Sequence, residues 1–123
     1  MSKVAKIDLS REQEHSVVAQ RAKERVMGEN EVELMAKIFR LLGDPARLKI
    51  VLALLEGEMC VYHLLEVCEG TYSGVSHQLR VLKDSNIVKA KRYGKNVEYS
   101  IADMHIRAII EKGIAHLQCT AEA

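Results

Sequence analysis

The sequence changes its period once, and that change limits the possible folds more than any other feature. Between Glu31 and Ser85 apolar residues recur at helical spacing. Between Ile87 and Ile101 they partly alternate, as in a half-buried strand. The two alternating stretches, Ile87 to Tyr93 and Val97 to Ile101, are separated by Gly94-Lys95-Asn96, a hairpin turn signal. Immediately before them, Tyr62 to Cys68 reads as a short helix and Glu69-Gly70 as a turn. Thr71 reads as the cap of a second helix, running roughly from Tyr72 to Ser85.

Two short helices joined by a glycine-containing turn and followed by a hairpin give the order of a winged helix-turn-helix, mainly α with a small β wing. The flanking segments supply further helices. Ser10 to about Met27 is highly charged, with sparse apolar positions (Val17, Val18, Ala22, Val26) and a capping-box pattern at Ser10 and Gln13. Gly28-Glu29-Asn30 breaks it, and Asn30 can cap a helix from Glu31 to Leu42. Gly43 ends that helix, and Asp44-Pro45 starts another, which runs to about Leu55. Met59-Cys60-Val61 reads as a strand end. A last helix opens at Asp103 and runs to about Cys119, with Ile106, Ile109, Ile110, Gly113, Ile114 and Leu117 in one stripe. The expected organisation is an N-terminal arm over residues 1–30 and one winged domain over 31–123.

Composition excludes several classes. Aromatic residues make up 4%, with one Phe and no Trp, so the core must be packed by aliphatic side chains and Met. The longest apolar run, Ile50 to Leu55, falls far short of the roughly 20 residues a membrane helix needs. The charged N-terminus lacks the apolar segment of a signal peptide. A cytoplasmic chain is expected, and in that reducing compartment three Cys read as thiols or metal ligands.

The formal net charge is +1, but it is unevenly spread. Between Thr71 and Ser100 six basic residues face two acidic ones, a local net of +4, which leaves −3 elsewhere. In the second helix of the pair, Ser73, Ser76, His77 and Arg80 share a face, with Tyr72 at its start and Gln78 beside it. Val75, Leu79 and Leu82 occupy the opposite face. Short polar side chains near a helix N-terminus suit base edges and phosphates in the major groove. Lys91, Arg92 and Lys95 on the hairpin suit the phosphate backbone. These residues form the candidate DNA surface.

The last helix carries a second constellation: Asp103, His105, His116 and Cys119, each a competent metal ligand. His105 and His116 are separated by three turns plus about 20°, so they share a face, yet they lie about 16 Å apart along the axis. One ion cannot bridge that span in one helix. Two antiparallel copies with a two-fold axis near Ile110 and Glu111 set Asp103 and His105 of one chain beside His116 and Cys119 of the other. His116 and Cys119 are i, i+3 and point together. Asp103 and His105 converge only if Asp103 is a non-helical N-cap. One oxygen, two nitrogens and one sulfur suit tetrahedral zinc, and the thiolate adds softness that favours cadmium.

The stretches LGDPARLKIVLALLEGEMCV and VSHQLRVLKDSNIVKAKRYGKNVEYSI resemble the ArsR/SmtB family of metal-sensing winged-helix repressors, over about Leu34 to Cys119. The resemblance implies a homodimeric repressor that binds an inverted-repeat operator when metal-free and releases it on metal binding. Zinc is the leading ligand, with cadmium and cobalt as further candidates. Asp103, His105 and His116 fall on three of the family's four zinc positions in this helix, and Cys119 stands where Glu or His is usual. The resemblance also implies that His116 hydrogen-bonds a backbone carbonyl near Asn86. In the turn, Glu69-Gly70-Thr71 departs from the family's Gly-aliphatic-Ser, and Gly74 inside the recognition helix costs up to about 1 kcal/mol against Ala.

EMCVYHL resembles the family's second metal box, commonly ELCVCDL, with Tyr62 and His63 replacing Cys and Asp. Cys60 with His63, joined by His15, can make a weak second site. A thiol-redox or arsenic- and cadmium-type thiolate repressor using Cys60, Cys68 or Cys119 is the alternative on the same fold. An enzyme built on a Cys60–His63 pair is disfavoured, because no orienting third group or glycine-rich oxyanion loop accompanies it.

Overall fold

The computed structural model describes residues 9–122, with side chains through residue 120. Among the described residues the order is α1 (Leu9–Arg25), α2 (Glu29–Leu42), α3 (Pro45–Leu54), α4 (Val61–Val67), α5 (Tyr72–Asp84), β1 (Val88–Tyr93), β2 (Asn96–Ile101) and α6 (Met104–Glu122). The chain is mainly helical with a two-stranded hairpin, as the period change predicts. It divides into two units between Met35 and Ala36.

The first unit holds α1 and the beginning of α2. No α1 residue is buried. Leu9 is already helical, so Ser10 lies inside α1 and the expected capping box does not start there. Asn30 likewise lies inside α2, which starts at Glu29, two residues before the expected Glu31. The backbone carbonyl of Gly28 accepts from Val32 N (3.0 Å), so the hydrogen bonding of α2 begins at Gly28.

The second unit is built by local signals that act as expected. Asp44, extended at φ −84°, ψ 124°, accepts from Arg47 N at 3.1 Å, and Pro45 takes the first helical position, where no amide donor is needed. Thr71 caps α5 by accepting from Gly74 N at 3.0 Å. That bond also accounts for Gly74, since a Cβ there would sit 3.2 Å from the Thr71 hydroxyl. Helix α5 ends in a Schellman motif: Ile87 N bonds Leu82 O (2.9 Å), Asn86 N bonds Lys83 O (3.0 Å), and Asn86 is left-handed at φ 57°.

The hairpin is antiparallel and pairs Val88 with Ile101 through Tyr93 with Asn96. The loop is therefore Gly94-Lys95 alone, and Asn96 belongs to β2. Gly94, at φ 62°, occupies the first loop position, where a two-residue turn of this hand requires glycine. Met59 bridges Tyr99, which extends the sheet edge by one residue.

Leu42, Ile50, Val51, Leu54, Leu64, Leu79, Leu82, Ile87 and Val88 form the centre of the core. Among the described residues no polar or charged side chain is buried. The apolar faces of α3, α4 and α5 meet there, joined by one end of the hairpin and by Ile106 and Ile110 of α6. Arg107 fastens the same end of α6, donating to Leu55 O at 3.1 Å and reaching Glu111 at 3.4 Å.

Candidate nucleic-acid interface and metal-ligand helix

In α5 the apolar face is sealed against the core by Val75, Leu79 and Leu82. That rotation leaves Tyr72, Ser73, Ser76, His77 and Arg80 together around an open depression of about 310 Å³. These are the sequence-predicted face residues, and they lie side by side. Gln78 differs from them. It does not line the depression, and its Oε1 accepts from Arg47 Nη1 at 3.1 Å, while Arg47 Nε donates to Leu41 O at 2.9 Å. Arg47 thus ties α5 to the end of α2 and the start of α3, and Gln78 is the α5 end of that tie. Sequence reading missed Arg47, because a bond across 31 positions leaves no local pattern.

The wing carries its basic side chains in a structured way. Lys91 Nζ lies 5.1 Å from the centre of the Tyr93 ring, within cation–π range. The Tyr93 hydroxyl donates to Glu58 Oε1 at 3.4 Å. Lys91 also pairs across the ladder with Glu98. Arg92 is exposed on β1, and Lys95 is exposed in the loop.

The predicted ligands sit toward the two ends of α6. Asp103 precedes its first residue and is non-helical, as convergence with His105 requires. Its carboxylate accepts from His105 N (2.9 Å) and Ile106 N (3.0 Å) and stands 3.6 Å from His105 Nδ1. The Ile106 amide above all, then the His105 amide, hold the Asp103 carboxyl below its usual range, so it is ionised at neutral pH. The His105 side chain is 85% exposed. His116 and Cys119 are exposed further along the same helix. Among the described residues no three His, Cys, Asp or Glu side chains gather within one chain. The donor chemistry of these four residues fits a metal ion, and within one chain Asp103 stands beside His105 while His116 and Cys119 lie further along α6.

Cys60 lies 3.6 Å from His63 Nδ1, so these two are brought together, while His15 lies on α1. Cys68 is buried, and that burial raises its thiol pKa. Tyr62 is a further residue the sequence did not single out for DNA: its ring stacks at a tilt on Tyr72.

The family model for bacterial regulatory proteins of the arsR family matches residues 44–90, from the Asp44 cap through the helix-turn-helix to the first half of β1. The chain is 41% identical over 93 residues to the transcriptional repressor SmtB homolog of Synechocystis, covering 76% of this chain and 70% of that one. It is 38% identical over 103 residues to a cadmium resistance transcriptional regulatory protein CadC homolog of Staphylococcus aureus, covering 83% and 84%. The crystal structure of the AntR antimony-specific transcriptional repressor superposes with a TM-score of 0.70 at 27% identity, covering 80% of this chain and 89% of that one. With the capped recognition helix, the wing and these relatives in agreement, the chain belongs to the ArsR/SmtB family of winged helix-turn-helix transcriptional repressors, and is a DNA-binding regulator and not an enzyme.

Proposed function

We propose that this repressor is a cytoplasmic homodimer that holds an inverted-repeat operator when metal-free and lets it go when zinc, or cadmium or cobalt, binds between its two α6 helices. The observation that carries this reading is the division of the α6 ligands. Asp103 and His105 are paired at the N-cap, and His116 and Cys119 lie further along the helix. Such a set is completed by an antiparallel second copy, which supplies the missing half to each of two equivalent sites. Leu117, 69% exposed between His116 and Cys119, supplies apolar surface for that contact.

On DNA, Ser73, Ser76, His77 and Arg80 meet the major groove, Tyr72 lies at the helix start, and Lys91, Arg92 and Lys95 meet phosphates. Gln78 supports α5 through Arg47. The metal ion supplies a fixed link between the two chains. Asp103 and His105 of one chain, with His116 and Cys119 of the other, would hold it. His116 keeps its second ring nitrogen for a backbone carbonyl near Asn86, where α5 ends, and so relays occupancy to the recognition helix. Because operator half-sites tolerate one spacing, a shift of the two α5 helices lowers DNA affinity.

A panel of metal ions added to the repressor–operator complex tests this. Release by zinc, cadmium or cobalt is expected, with reciprocal weakening of metal binding by DNA, typically 1–3 kcal/mol. Asp103→Ala should weaken metal affinity yet keep coupling at saturation, whereas His116→Gln should lose coupling even when loaded. Equal loss in both removes the relay role of His116.

The 3.6 Å Cys60–His63 contact favours a second reading, a thiolate-type sensor in which Cys60 works with Cys119 and His63 sits beside it. Cys68 contributes least to it, because its thiol stays protonated. Asp103→Ala separates the two, since only the α6 metal site needs that carboxylate.

A further inference from the structure

Two tyrosines on neighbouring helices make a surface feature that the recognition face alone does not explain. Tyr62, in the first turn of α4, is 70% exposed, and Tyr72, the first residue of α5, is 49% exposed. Their ring centres are 5.1 Å apart and their planes meet at 47°, within the range aromatic pairs prefer. Among the described residues neither hydroxyl has a hydrogen-bond partner. Tyr72 also lines the depression with Ser76, His77 and Arg80. The polar surface of α5 therefore continues through a ring contact onto α4.

The geometry points to Tyr62 as a DNA-backbone contact: its hydroxyl donates to a phosphate oxygen while Tyr72 holds its ring in place. This rests on the reading of α5 as the DNA-recognition helix. In a helix-turn-helix the second helix enters the groove and the first crosses the backbone, which is where α4 and Tyr62 lie relative to α5. Phosphate oxygens accept from tyrosine hydroxyls. A tyrosine has two side-chain torsions, so ordering it costs little, and the contact with Tyr72 has already ordered it. Glu66, one turn further along α4 and on the same face as Tyr62, marks where the contact stops, because a carboxylate is repelled by phosphate.

Phosphate contacts are independent of sequence, so a random-sequence duplex serves as the probe, titrated with the full-length protein across a range of salt concentrations. Tyr62→Phe keeps the ring pair and deletes only the donor. Its affinity should fall about ten-fold or more per contact at every salt concentration, the effect of one hydrogen bond to a charged acceptor. The slope of log affinity against log salt should not change, because a neutral hydroxyl displaces no counterion. Tyr62→Ala should lose at least as much. The Lys91→Ala, Arg92→Ala double variant should instead flatten the slope. Tyr62→Phe binding that equals wild type at every salt concentration, or that changes the slope, overturns the inference and leaves the DNA reading standing. A wild-type chain that shows no salt-dependent duplex binding overturns both.

Discussion

Helices α5 and α6 are both amphipathic and both carry the residues of a proposed site, but they are completed differently. Helix α5 spends its whole apolar face inside its own chain, through Val75, Leu79 and Leu82, and offers a coherent polar face outward. Helix α6 buries Ile106 and Ile110, is fastened by Arg107, and then leaves the chain's own core. From Glu111 through Thr120 only Ile114 is even half-buried. A reading head can be finished by one chain, because groove recognition needs only a rigid, correctly rotated helix. A ligand set spread along three turns of one helix cannot, because no side chain spans that distance.

The sharpest way to break this contrast is to truncate one apolar side chain on each helix. Leu79→Ala should cost about 2–5 kcal/mol of unfolding free energy in urea titrations, since Leu79 is fully buried within one chain. Leu117→Ala should leave the fold of each chain intact by circular dichroism. Sedimentation should show a weaker dimer, by about 2 kcal/mol for each of the two symmetric side chains. Loss of chain stability in Leu117→Ala at low protein concentration would erase the distinction.

Mixing tests the same point at the ligands. His105→Ala and His116→Ala homodimers each hold only damaged sites. Mixed and allowed to exchange, they should form heterodimers with one intact and one doubly broken site, seen as regained tight zinc binding in a fraction of the protein. No regain would overturn the antiparallel pairing of the two α6 helices.

The wing gives a graded effect. Lys91→Ala with Arg92→Ala should flatten the salt dependence of DNA binding by up to about 0.9 per lost phosphate contact, counted twice per dimer, with metal affinity unchanged. The contribution from Lys91 should be the smaller, because its ammonium already lies over the Tyr93 ring.

The smallest effect concerns the thiols. Cys119 should react quickly with a thiol reagent at mildly alkaline pH, and Cys68 should react slowly. Burial raises the Cys68 pKa above 9.0, so its contribution to stability is complete below that value in the unfolded chain and is lost as pH climbs through the folded pKa. Equal labelling of the two would show that Cys68 is not sealed in the folded chain.

Much of this was legible because it is local. The Asp44-Pro45 start, the Thr71 cap, the Gly94 loop and the α5 face each depend on residues within a few positions of one another. The failures were local too. Ser10 and Asn30 look like caps, but α1 already includes Leu9 and α2 already starts at Glu29. The 16 Å between His105 and His116 needs only helix geometry, so the need for a second chain was visible before any fold was known.

Tertiary structure alone decided which polar residues of α5 remain available. The sequence puts Gln78 next to His77 with nothing to separate their roles, but packing of α3 against α5 brings Arg47 within 3.1 Å of Gln78 and draws it inward. Packing of α4 against α5 likewise sets Tyr62 against Tyr72. Helix periodicity is a short-range property, fixed by φ and ψ and the polarity of neighbouring residues, so a sequence states it directly. Which side chain meets which across two helices depends on how the elements cross, and that is settled only when the aliphatic core closes around Leu64, Leu79 and Leu82.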